Sequence, residues 1–288
     1  MITDGQPTRL RVPAFAKINL SLEVRGVRPD GYHELSTVFQ TIKLHDVLSF
    51  SPTSGPFDIR CDDPACPLGR TNLIWKAAHL LWRAGGLPGM PRGVRVRLRK
   101  QIPMQAGLGG GSSDAAAALV ALSKIWRIPL SARQLARLAK KLGADVAFFL
   151  AGGTALGEGA GDRIKLLDDQ PSSWVVVVVP GFGVSTKEAY GWLDSDRRDK
   201  RAHGPSVNDL QAPVAARHPE ISDIVTALQV AGSSHASMSG SGSAVFGLFQ
   251  THALATAAAR GLEGRSRHVI VTRTVARGEF DRRRFREA

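Results

Sequence analysis

The sequence predicts an α+β chain of two domains, and three observations carry that reading. Its 288 residues suit two domains, or one large one. Apolar runs of period two alternate with runs at helical spacing along the whole chain. A polar, proline-containing stretch, Leu166 to Ser173, interrupts them, so the expected domains are 1–167 and 168–288. A hydrophobic fraction of 43% with 22% charged residues is ordinary for a globular protein. It excludes a wholly disordered chain, a collagen-like chain and a disulfide-stapled miniprotein. No stretch reaches about 18 uninterrupted apolar residues, the length a membrane-spanning helix needs. Met1 to Arg11 lacks the basic, apolar and small-residue succession of a secretory signal, so a cytoplasmic protein is expected.

Val12, Ala14, Ala16, Ile18, Leu20, Leu22 and Val24 are apolar at period two, which predicts a strand with one buried face. Lys17, Asn19, Ser21 and Glu23 then share the other face. Arg25 to Tyr32 reads as a turn, and Leu35 to Phe50 continues a sheet. Thr71-Asn72 starts a helix with Ile74, Ala78 and Leu81 inward, which Gly85-Gly86 stops. Val94, Val96 and Leu98 alternate with arginines in a half-exposed strand. A glycine-dense loop follows Pro103, then a helix from about Ser113 to Trp126. Ser131 caps another helix that ends at Gly143. Beyond the boundary come a buried strand (Trp174 to Val179), helices near Lys187 to Leu193 and Glu220 to Val230, and a strand near Ala244 to Phe249. A helix near Ala253 to Leu262 and a strand near His268 to Val275 complete an α+β half, compatible with a split βαβ arrangement.

The formal net charge of +13 raises the question of a polyanionic partner. The arginines are spread along the chain, with one local excess at Arg282-Arg283-Arg284-Phe285-Arg286, and no nucleic-acid-binding motif accompanies them. An arginine-rich solvated surface with a frayed tail accounts for them, as does attraction of a small polyanionic substrate. Cys61 and Cys66 lack further ligands at zinc spacing and read as two reduced thiols in a turn, so no metal site is expected.

The sharpest signal is Pro103-Met104-Gln105-Ala106-Gly107-Leu108-Gly109-Gly110-Gly111-Ser112-Ser113-Asp114. Four glycines in five residues cost backbone entropy and add no packing, which makes sense where a ligand approaches bare peptide N–H groups. The loop runs from a strand into a helix N-terminus, where unsatisfied donors and the positive dipole end converge on an anion. Ser112 and Ser113 add hydroxyls that can donate to a phosphate or ligate a nucleotide-borne magnesium ion. A Walker A loop is excluded because no lysine lies between Lys100 and Lys124. A Rossmann fingerprint is excluded by Ser112 where glycine belongs and by the absence of an acid from Ile128 to Gln134. A second loop, Ser237 to Ser243, suits either a tight turn or a further phosphate or substrate clamp.

Together these segments resemble the GHMP kinase superfamily. Its central nucleotide motif is similar to the loop above, its N-terminal motif to Pro13 through Leu20, and its C-terminal glycine motif to Met238 through Phe246. Ala16 to Leu20, Arg28 to Leu35, Gly143-Ala144-Asp145-Val146, Val184 to Tyr190 and Asn208-Asp209-Leu210 narrow the likeness. They point to the branch that phosphorylates a diphosphocytidyl methylerythritol in non-mevalonate isoprenoid synthesis. The resemblance runs from about residue 13 to 250. It departs at Gln105, where a small residue is usual, and at Ala147, where proline often stands. The fold it implies has an N-terminal α/β domain of ribosomal-protein type and a C-terminal ferredoxin-like split βαβ domain.

The resemblance further implies ATP, with Mg2+ carried by the nucleotide, held by Pro103, Met104, Gln105, Ala106, Gly107, Leu108, Gly109, Gly110, Gly111, Ser112 and Ser113. Asp145, in an apolar and hence largely buried setting, would accept the proton of the substrate's 2-hydroxyl, and Lys17 would orient that hydroxyl and offset charge. Asn19, Tyr32, His33 and Tyr190 would bind the substrate, with Tyr32 and His33 at the cytosine. Without the likeness, Asp145 reads as a helix cap, Lys17 as a snorkelling strand lysine and Tyr190 as packing. No nucleic-acid or membrane partner is expected, and the chain would be a monomer or a homodimer. Rival readings are a kinase for another small alcohol, of homoserine or mevalonate type, and a basic nucleic-acid-binding module.

Overall fold

The computed structural model describes residues 10–198, 207–264 and 266–284. Most of the leader-free reading of Met1 to Arg11, and the tail residues Phe285 and Arg286, lie outside them. Strand β1 (Leu10–Val27) pairs along its whole length with β2 (His33–Pro56), antiparallel. The other edge of β2 is shared end to end by β4 (Arg92–Arg99) and β5 (Thr154–Gly159). β3 (Asp58–Cys61) adds parallel to β4, and β6 (Arg163–Leu166) antiparallel to β5. Helices α1 (Leu73–Ala84), α2 (Gly110–Ile125), α3 (Ala132–Leu142) and α4 (Val146–Ala151) pack on this sheet around one core.

The expected helix caps are present. Asn72 accepts from the Ile74 N–H at the start of α1, and Ser131 forms a reciprocal capping box with Gln134 at α3. The α2 helix starts at Gly110, three residues before the expected start, because the glycines after Gly109 already lie in its first turn.

The second sheet is formed by β7 (Trp174–Pro180), β8 (His235–Met238), β9 (Val245–Phe249) and β10 (Arg267–Arg273) in the order β10-β7-β9-β8, every pair antiparallel. Helices α5 (Thr186–Arg198), α6 (Gln211–Arg217), α7 (Glu220–Val230) and α8 (His252–Leu262) link those strands, and α9 (Arg277–Arg283) follows. That order, with helices after the first and third strands, is the ferredoxin-like split βαβ arrangement. β7 is apolar throughout because both its faces are buried. Val176 and Val178 face one core with α5, α7 and α8 residues, while Val175 and Val177 meet Ala16, Ile18 and Ile42 in another. The two sheets are thus joined by a shared apolar layer.

One expectation fails in an informative way. The even-numbered residues of β1 do not share one face. Val12 and Ala14 join the first helical core, Ala16 and Ile18 face the second sheet, and Leu22 and Val24 pack with α5 and α7. The β1–β2 ladder is interrupted between Phe15 and Ala16, where β2 carries Lys43 and Leu44 as extra residues, and between Asn19 and Ser21, where β1 carries Leu20. Beyond the first shift both faces of the strand are covered, and Lys17 and Asn19 are buried as well as Ala16 and Ile18.

A frayed arginine tail is also wrong for the described part of it. Arg284 is buried and donates to the Leu150 carbonyl at the end of α4 (2.7 Å), against Phe280.

Candidate active site

The glycine loop reaches its shape through tertiary contact. At Gly107 (φ +73°) a β-carbon would collide with the Ser239 carbonyl oxygen, and at Gly109 (φ +74°) it would lie 2.6 Å from the Phe149 ring. Gln105 also adopts a positive φ of 55°, which is why a small residue suits that position and why its side chain is a departure. Gly109 is the N-cap of α2 and no side chain caps the helix, so the first-turn amides point at the cleft without a protein acceptor. Met238 to Ala244 braces the loop from behind. The Ser239 hydroxyl donates to the Gly107 carbonyl (3.0 Å) and the Ala244 N–H to that of Ala106 (3.1 Å). Asn208 in turn donates to the carbonyls of Met238 and Gly240, both at 2.8 Å.

Lys17 stands at the centre. Its Nζ donates to Asn19 Oδ1 (2.5 Å) and to the Gly107 carbonyl (2.8 Å), and lies 3.7 Å from Asp145 Oδ2. Burial pushes its ammonium below the ordinary lysine value, and Asp145 opposes that shift. Asn19 passes the constraint on by donating to Thr37 Oγ1 (2.7 Å), which donates to the Ser21 carbonyl (2.6 Å). Asp145 precedes α4 at the N-cap position but its side chain caps nothing. Nor is it deeply buried. Its carboxylate is 33% exposed against 4% for the Lys17 side chain, because it opens onto the cleft instead of packing among its apolar neighbours.

At the far end Tyr32 is 66% exposed on the cleft wall. His33 is stacked on Tyr190 (ring centroids 4.5 Å apart), and its Nε2 lies 2.9 Å from Asp194 Oδ1. Burial raises the Tyr190 phenol above its ordinary range. Tyr32, His33, Tyr190, Lys17, Asn19, Asp145 and the loop from Pro103 to Ser112 all border one cavity of about 1080 Å³. Ser113 does not. It is buried near the start of α2.

A cleft with bare helix-end amides at one side, a lysine–carboxylate pair in the middle and aromatic rings at the other suits transfer of a phosphoryl group between two bound molecules. Comparison with known proteins agrees with that chemistry. The pattern of the GHMP kinases N terminal domain matches residues 72–153, and that of the GHMP kinases C terminal domain residues 195–266. The 4-diphosphocytidyl-2-C-methyl-D-erythritol kinase of Pelotomaculum thermopropionicum is 41% identical over 91% of this chain and 96% of its own length. The chain belongs to the 4-diphosphocytidyl-2-C-methyl-D-erythritol kinase family of GHMP kinases. The relative from Moorella thermoacetica is also 41% identical, over 92% of this chain and 99% of its own. A crystal structure of a 4-(cytidine 5'-diphospho)-2C-methyl-D-erythritol kinase superposes with a TM-score of 0.76 at 37% identity, covering 93% of this chain and 100% of that one.

Sequence reasoning missed the charged cluster beneath the loop. Lys100 bonds Asp46 and, at 3.0 Å, Asp114, and all three are nearly out of solvent. Asp46 also accepts from the Gln101 and Ile102 N–H groups (2.5 and 2.9 Å). Burial pushes the Asp114 carboxyl up to about 8, Asp46 adding to the shift and Lys100 opposing it. The available signal was the one lysine ending an arginine-patterned strand, just before the loop that supplies Asp114. Asp194 and Thr37 carried no comparable signal, since their partners are 161 and 18 residues away.

Proposed function

We propose that this enzyme transfers the γ-phosphoryl group of ATP to the 2-hydroxyl of 4-diphosphocytidyl-2-C-methyl-D-erythritol, a step of non-mevalonate isoprenoid precursor synthesis. The observation that carries this reading is the Lys17–Asp145 pair, 3.7 Å apart on the cavity that the uncapped start of α2 borders. The loop amides and the dipole of α2 hold the triphosphate. Asp145 accepts the hydroxyl proton as the oxygen attacks. Lys17, held by Asn19 and the Gly107 carbonyl, orients that hydroxyl and offsets negative charge in the transition state. Tyr32 and His33 take the cytosine, with Tyr190 backing the imidazole.

Charge neutralisation between the phosphates would come from magnesium carried by the nucleotide. Among the described residues no three His, Cys, Asp or Glu side chains are grouped to hold a metal. Ser112, on the cavity wall, is the hydroxyl that would be offered to it. Coupled ADP release tests the reading. Turnover should require the diphosphocytidyl substrate and be absent with homoserine or mevalonate; equal turnover with either of those would contradict it.

A further inference from the structure

Two residues of α5 grip the His33 ring. Tyr190 stacks on its face, at 4.5 Å and 25° between planes, and Asp194, one helical turn later, meets its Nε2 at 2.9 Å. Stacking fixes the plane of the imidazole, and the in-plane bond fixes its rotation. An ionised carboxylate only accepts, so Nε2 carries the hydrogen, and in the neutral ring Nδ1 is left with a lone pair. No partner for Nδ1 occurs among the described residues, and His33, Asp194 and Tyr190 all border the cavity. The His33 side chain is 13% exposed, so what reaches it must come through the cleft.

We propose that Asp194 is a positioning residue for specificity: it locks His33 in the Nε2–H tautomer, so that Nδ1 accepts from the exocyclic amino group of cytosine and finds only a carbonyl oxygen in uracil. Two facing acceptors leave both unpaired in a partly dry site, which is how hydrogen-bonding pockets reject near-isosteres. The inference rests on the reading that the cytidine end lies at Tyr32 and His33.

Kinetics with the diphosphocytidyl substrate and its diphosphouridyl counterpart, on the wild type, His33→Ala, Asp194→Ala and Asp194→Asn, test it. The wild type should prefer the cytidyl substrate by about tenfold or more in kcat/KM. Asp194→Ala should raise KM for the cytidyl substrate by about tenfold, with KM for ATP within about twofold, and reduce the preference to below about threefold. Asp194→Asn, whose side-chain carbonyl still accepts from Nε2–H, should keep most of the preference. Nitrogen-15 spectra of the wild-type imidazole, taken at about pH 8, should show hydrogen on Nε2 and none on Nδ1. Hydrogen on Nδ1, or an unchanged preference in Asp194→Ala while His33→Ala loses it, overturns the role of Asp194. Retention of the preference in His33→Ala as well overturns the cytidine-site reading itself.

Discussion

Asp114 shows how one buried side chain sets a pH dependence. Its carboxyl titrates near 8 because burial and the Asp46 charge outweigh the help of Lys100. The folded protein therefore holds a proton that the unfolded chain has already released. That contribution to stability is full below about pH 4 and falls as pH rises toward 8, at no more than about 1.4 kcal/mol per pH unit. Asp114→Asn keeps an acceptor for Lys100 and removes the titration, so urea midpoints between pH 5 and 8 should lose that downward slope. Gln105 stores strain instead, with φ at 55°. Gln105→Gly should raise stability by up to about 1 kcal/mol in the same assay.

At the scale of elements, the loop and α2 act as a unit. A β-carbon at Gly107 would meet the Ser239 carbonyl, so Gly107→Ala must push the two glycine loops apart. It should raise KM for ATP by about tenfold or more, since the loss of a single well-aimed donor is worth one to two kcal/mol; titration with a fluorescent nucleotide checks this. Much of this scale was legible in the sequence. The capped helices α1 and α3, the apolar β7 and the glycine loop each carried a local pattern strong enough to stand alone. β5, β6 and β8 did not. Thr154–Gly159 contains two glycines, Arg163–Leu166 alternates too briefly, and His235–Met238 is four residues beside a glycine loop. They are strands because neighbours pair with them. The irregularities of the β1–β2 pair were equally invisible, since the alternation of β1 continues through them.

At the scale of the molecule, the site exists because two sheets share a core. Ala16 and Ile18 of the first sheet and Val175, Val177 and Phe246 of the second are fully buried in one layer. It sets the loop from Met238 to Ala244 against the glycine loop from Pro103 to Ser112. Phe246→Ala should cost about 3–5 kcal/mol of stability, measured by urea unfolding. The motifs that carry Lys17 and Asp145 were legible in the sequence, but the two residues are 128 positions apart, and only the folded chain brings them within 3.7 Å. Turnover of Asp145→Asn with ATP and the diphosphocytidyl substrate, alongside a thermal melt to show an intact fold, addresses that pair directly. A loss of about 100-fold or more in kcat is expected, with an unchanged melt. A rate within about threefold of the wild type would contradict a proton-accepting role for Asp145, because general-base removal costs far more.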